Sequence, residues 1–96
     1  MARFVMLLKF TDKGIAGIKE SPSRAEAFRS AAAKSGCTVE SQFWTLGEYD
    51  GAVVLAAPDD AAATALALDL GRLGNVRTTM LRAFNAAEFK EIVAKL

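Results

Sequence analysis

The chain of 96 residues contains no histidine and a single cysteine, Cys37. Without imidazole it lacks the side chain most used for proton transfer near neutral pH and the commonest transition-metal ligand, which excludes Ser-His and Cys-His nucleophile systems. With one thiol, neither an internal disulfide nor a multi-cysteine metal site can form, a pattern suited to a reducing compartment. No apolar run approaches the roughly 20 residues that span a bilayer. Twelve basic and eleven acidic residues leave a formal net charge of +1, with no block of like charge, so bulk capture of nucleic acid or anionic lipid is not expected. The start, MARFVMLLKF, has no small-residue cleavage pattern and meets Lys9 and Asp12 at once. It reads as a first strand, not a targeting segment, and the expected location is the cytoplasm.

What is present is apolar: 52% of residues are hydrophobic and 24% charged. A chain this short reads as one domain, residues 1–96, with more apolar surface than it can easily cover alone, which points to self-association. Arg3 to Phe10 alternates, placing Phe4, Met6, Leu8 and Phe10 on one face and Arg3, Val5, Leu7 and Lys9 on the other. A short helical turn over Asp12 to Glu20 precedes a longer helix entered at SPSR and stopped by Gly36. Pro22 suits the first turn, and Ser23 with Glu26 has the spacing of a capping box. CTVESQFWTL reads as a second strand, with Val39, Ser41 and Phe43 on one side and Glu40, Gln42 and Trp44 on the other. GAVVLAA is a short apolar strand covered on both faces. Asp59 or Asp60 caps the helix that follows Pro58, a fourth strand begins after Gly74, and a closing amphipathic helix capped by Asn85 carries Phe89, Ile92, Val93 and Leu96 on one face.

The resulting order, β-α-β-β-α-β plus a terminal helix, is the ferredoxin-like α+β pattern. Both long helices then cover one face of a four-stranded antiparallel sheet. Val5, Leu7, Trp44 and one set from the fourth strand are left on the other, and pairing two such faces hides them, giving a homodimer of the α+β barrel kind.

Between the second and third strands lies Gly47-Glu48-Tyr49-Asp50-Gly51. A hairpin accounts for Gly47 and Gly51, which tolerate positive φ, and for Asp50 as a turn former. It does not require the phenol of Tyr49, which is suited either to packing at a subunit contact or to a ligand. FWTLGEYDGAVVLAAPDD, with ESPSRAEAFRSAA before it and LGNVRTTMLRAF after it, resembles the GYD domain family of small bacterial and archaeal proteins over nearly the whole chain. Gly47, Tyr49 and Asp50 match the signature. The resemblance implies a ferredoxin-like dimeric α+β barrel and carries no general reaction with it.

Other chemical signals are weak. Glu48 and Asp50 fall on an exposed turn, and Asp59-Asp60 is explained by helix capping, so neither a metal site nor a cofactor is expected. Gly14-Ile15-Ala16-Gly17 lacks the remainder of any phosphate-binding loop. Cys37 has no local cation to activate it. Arg24, Glu26, Arg29 and Lys34 read as a solvated helix face. The most suggestive set is Lys9, Gln42, Trp44, Arg77 and Thr79, which together with Tyr49 would line a cavity enclosed between two sheets; a one-residue slip would bring Thr78 and Arg82 forward in place of Arg77 and Thr79. Ordinary pairing of Lys9 and Arg77 with Glu40 or with partner carboxylates is the alternative for that set. The function expected is therefore a homo-oligomeric module that binds a small molecule. The alternatives are a cofactor-independent enzyme, monooxygenase-like or isomerase-like, working through Tyr49, Trp44 and Arg77, and a structural or regulatory interaction module.

Overall fold

A computed structural model describes the whole chain, Met1 to Leu96. Its elements are β1 (Ala2–Phe10), α1 (Asp12–Ala16), a 3₁₀ turn (Ile18–Glu20), α2 (Ser21–Lys34), β2 (Thr38–Trp44), β3 (Gly51–Ala57), α3 (Asp60–Arg72), β4 (Val76–Ala83) and α4 (Ala86–Val93). The four strands form one antiparallel sheet in the order β2-β3-β1-β4, the ferredoxin-like arrangement with the first and third strands central. No helix is long and apolar enough to cross a membrane.

The core lies between one sheet face and the two longer helices. The alternation of β1 buries Phe4 and Met6, and that of β3 buries Val53, Leu55 and Ala57; Phe28 and Ala32 of α2 and Ala63 and Leu66 of α3 close over them. The small side chains of Ala32, Ala57 and Ala63 let helix and sheet backbones approach closely. The opposite face of β3, Ala52, Val54 and Ala56, is covered by nothing in the chain and is only half-buried. The sequence pattern of a strand buried on both sides therefore calls for something beyond the chain's own helices.

Helix boundaries follow local chemistry. Asp59 caps α3, its carboxylate accepting from the Ala62 amide at 2.8 Å. Asn85 and Glu88 form a reciprocal capping box on α4. The box expected at Ser23 and Glu26 does not form. The 3₁₀ turn runs directly into α2, which begins at Ser21 with Glu20 as its flanking residue and no side-chain cap, because a preceding helical turn leaves no extended residue to cap from. Gly36, at φ 78°, ends the helical segment as expected.

In β2 the regular alternation fails. Val39 pairs with Leu55 and Ser41 with Val54, so adjacent β3 residues meet β2 residues two apart and Glu40 is the extra residue of a bulge. Val39, Gln42 and Trp44 consequently share the helix-covered face, and Ser41 and Phe43 the open one. This corrects the placement of Gln42 and Trp44 with the open-face residues: one inserted residue reverses the parity of every side chain after it. In β4 the pairing decides between the two registers left open, with Arg77 opposite Lys9 and Thr79 opposite Leu7, while Arg82 lies opposite Phe4 on the helix side.

The short α1 is seated on the α3–β4 connection. Thr11 donates to the Gly74 carbonyl at 2.5 Å and Lys13 to the Leu73 carbonyl at 2.8 Å, and a Cβ on Gly14 would stand 2.0 Å from the Asn75 carbonyl oxygen. Backbone lies against backbone there, so neither side can yield cheaply. Gly14→Ala is expected to cost about 1–3 kcal/mol in urea unfolding. Gly71→Ala, in α3 with open space at its Cβ, should instead stabilise by about 0.5–1 kcal/mol.

Candidate functional site

The polar residues singled out in the sequence divide between two places. Lys9, Arg77 and Thr79 stand together on the open sheet face, and the Lys9 ammonium lies 5.2 Å from the centroid of the Tyr49 ring, a cation–π distance that brings Tyr49 to the same end. Gln42 and Trp44 lie on the other side of the sheet, against the first half of α2, with Trp44 at the edge and 53% exposed. The six residues therefore do not form one cavity.

Glu40 does not partner Lys9 or Arg77. Carried outward by the bulge, it accepts from Arg3 Nε at 2.7 Å and from Arg3 Nη2 at 3.1 Å, across the small side chain of Ala56 that the register places between them. These hydrogen bonds, with the guanidinium's charge, hold the Glu40 carboxyl below the usual carboxylate range. Lys9 and Arg77 have no carboxylate within 4 Å, since the chain's ion pairs are Arg3–Glu40 and Arg72–Asp69. Two like charges directly opposite on adjacent strands repel one another.

The Gly-Glu-Tyr-Asp-Gly segment is chiefly a fold device, built differently from a tight Asp-Gly turn. Gly47 takes φ 115°, which favours glycine. Asp50 ties the loop to β1 twice: its amide donates to the Leu8 carbonyl at 2.8 Å, and its carboxylate accepts from the Phe10 amide at 2.8 Å. Gly51 is not a left-handed turn residue; it opens β3, where a Cβ would stand 3.1 Å from the Phe43 carbonyl oxygen. Thr45 closes the loop by donating to the Tyr49 carbonyl at 2.6 Å.

An apolar-walled concavity lies on the helix side, at the end of the sheet where β1 and β2 finish and β3 and β4 begin. It is a cleft of about 290 Å³ between the first half of α2, the end of α3 and the sheet. Leu8, Phe28, Val53, Leu70 and Val76 form its apolar walls. The polar groups at its edge are partly spent on the frame: Trp44 Nε1 donates to Ser21 Oγ at 2.9 Å, Gln42 Nε2 to the Ala25 carbonyl at 3.1 Å, and Arg29 to Gln42 Oε1 at 3.2 Å. Arg24 and Asp50 also line it. Mostly apolar walls with a few placed polar groups are the usual build of a small-molecule pocket.

Arg24 and Ser21 are thus site residues that the reading of α2 as a solvated face missed. Helical spacing carries the signal: Ser21, Arg24 and Phe28 recur at three and four, on the stripe that buries Phe28 and Ala32. Cys37 is buried, and burial, reinforced by the Asp59 carboxylate, pushes its thiol up from the ordinary range. Both causes favour the thiol over the thiolate, the nucleophilic form. No group of three or more His, Cys, Asp or Glu side chains is placed to hold a metal ion.

The antiparallel ferredoxin-like sheet with its helices on one face is a class of fold shared with solved structures of low sequence identity. A feast or famine regulatory protein of M. tuberculosis, solved with L-methionine, superposes with a TM-score of 0.68 at 19% identity over 90% of this chain, which spans about half (52%) of that protein. A crystal structure of a Thermus thermophilus protein gives a TM-score of 0.59 at 22% identity, covering 90% of this chain and 96% of the other. Within that class the chain belongs to the GYD domain family, whose model matches residues 4–93. It is 30% identical over 97 residues to a Thermus thermophilus protein named glutamine synthetase and cystathionine beta-lyase binding protein, covering 100% of this chain and 99% of that one.

The Arg3–Glu40 clasp predicts a pH dependence. Because Glu40 has a folded-state value below its unfolded one, its contribution is present above the unfolded carboxyl range and is lost as pH falls through the folded value. Stability should fall on acidification below about pH 4.5 less steeply in Glu40→Gln than in the parent, measured by urea midpoints across that range.

Proposed function

We propose that this chain is a homo-oligomeric binding module that takes a small molecule into the cleft under α2. The observation that carries this reading is the cleft itself: 290 Å³, apolar-walled, with its edge held in place by the Trp44–Ser21 and Gln42–Ala25 hydrogen bonds. Those hydrogen bonds orient the two side chains without a ligand, which lowers the cost of ordering a site on binding.

Self-association is proposed through the open sheet face. Val5, Leu7 and Val54 are half-buried there with no covering element, and Phe43 and Leu81 are 61% and 46% exposed. A second copy laid on the same face buries them isologously, and partner carboxylates could then neutralise Lys9 and Arg77. The apolar side of α4, with Phe89 at 55% exposure, offers further surface for assembly.

A second reading is favoured by the relative named for binding two enzymes: that the assembled module docks on other proteins, with the cleft ligand as a regulator of that docking. The enzyme alternative loses its proposed machinery, since Tyr49 and Arg77 stand at the open face and Trp44 against α2.

Trp44, the chain's only tryptophan, reports directly on the cleft. Screening small metabolites by its fluorescence is expected to give a saturable change with one compound class. Ala25→Phe, which fills the cleft, should weaken that ligand at least about tenfold, whereas Leu81→Glu should shift light scattering toward monomer. Full ligand affinity in Ala25→Phe would remove the cleft as the binding site, and an unchanged mass in Leu81→Glu would remove the open face as the interface.

A further inference from the structure

Two unpaired charges line the cleft. Arg24 sits one helical turn before Phe28, so the packing that buries the phenyl ring turns the arginine inward and leaves it half-buried. Its one hydrogen bond goes to the Gly14 carbonyl, at 3.4 Å, which leaves several N–H donors of the fork unspent. No carboxylate lies within 4 Å of it. Gly17 borders the same guanidinium, and a Cβ there would stand 3.4 Å from Arg24 Nη1, an ordinary van der Waals contact. The Gly-Ile-Ala-Gly segment seats α1 against Asn75 through Gly14. Asp50 also contributes to the wall; its carboxylate accepts from the Phe10 amide and is not part of an ion pair.

A guanidinium held against apolar surface with its fork open is favourable to a planar carboxylate, which it can meet with two parallel hydrogen bonds in a partly desolvated setting. The volume, about 290 Å³, lies at the small end of ligand pockets, suited to a single ring or a short aliphatic chain and too small for a nucleotide. We infer that the cleft selects a small organic monocarboxylate with an apolar body, the carboxylate on Arg24 and the body between α2 and the sheet. The Asp50 carboxylate disfavours a second negative charge on the ligand. This rests on the cleft being the binding site.

The test uses three probes on one skeleton: 3-phenylpropanoate, the neutral 3-phenylpropan-1-ol, and the diacid 4-(2-carboxyethyl)benzoate, titrated calorimetrically with amide shifts recorded in parallel. The monoacid is expected to bind at least about tenfold more tightly than the alcohol, and more tightly than the diacid. Shifts should be centred on Ser21, Ala25 and Trp44. Arg24→Gln should bring the monoacid down to the affinity of the alcohol, and Arg24→Lys, which keeps the charge without the fork, should fall between. Equal binding of acid and alcohol, both weakened by Ala25→Phe, would overturn the carboxylate assignment and leave the cleft standing. Acid binding with shifts centred on Lys9 and Arg77 would overturn it in favour of the open face. No binding of any probe would overturn the ligand class, and the cleft reading itself falls only if the ligand found by the Trp44 screen also ignores Ala25→Phe.

Discussion

Side chains alternate across a β-strand, so one extra residue decides which side of the sheet everything beyond it occupies. In this chain that residue is Glu40. The bulge sends Glu40 outward to Arg3 and turns Gln42 and Trp44 inward, where they meet the Ala25 carbonyl and the Ser21 hydroxyl. With regular pairing instead, the indole and the amide would sit on the open face, and the first turn of α2 would lose its two side-chain anchors from the sheet. The cleft, its rigid edge and the separation of the two polar clusters all follow from that insertion. The bulge also has a cost, since it leaves ladder pairing incomplete at an edge strand. The bidentate bond to Arg3 offsets part of it on the outer face.

The family's Gly-Tyr-Asp signature acts on the same end of the molecule. Asp50 bonds β1 through both its amide and its carboxylate, which fixes how far the β2–β3 loop can stray from Leu8 and Phe10. Those two side chains, with Gly51 and Val53, form the floor of the cleft. The signature is therefore coupled to the cleft through the frame, with Asp50 contributing a charge to the wall as well. Tyr49 is drawn to Lys9 on the opposite face, so the loop touches both the cleft and the surface proposed for assembly.

Much of the architecture was legible because the relevant signals are local. Alternation in β1, proline at the start of α2, aspartate and asparagine caps on α3 and α4, and glycine after α2 each report on a few adjacent residues. The register of β4 stayed open by one residue in the sequence, and only its pairing with β1 places Arg77 opposite Lys9. Besides that register and Gly51, which opens β3 and is not a positive-φ turn residue, three features were not legible. The bulge depends on pairing with β3, a long-range partner that no window around Glu40 contains. The Ser23 capping box had the right spacing but the wrong context, since the 3₁₀ turn before it already continued into the helix. Arg24 was assigned to solvent by its charge, although its place on the Phe28 stripe was available from helical spacing.

The reading of this GYD domain as a binding module stands on Trp44 lying against α2 rather than on the open sheet face. A nuclear Overhauser experiment from the Trp44 indole N–H settles that most directly. Cross-peaks to the side-chain protons of Ser21 and Ala25 are the predicted result. Cross-peaks to Leu7 or Lys9 in their place would mean a β2 paired without the bulge, and would contradict the account of the cleft, its ligand and the assembly face together.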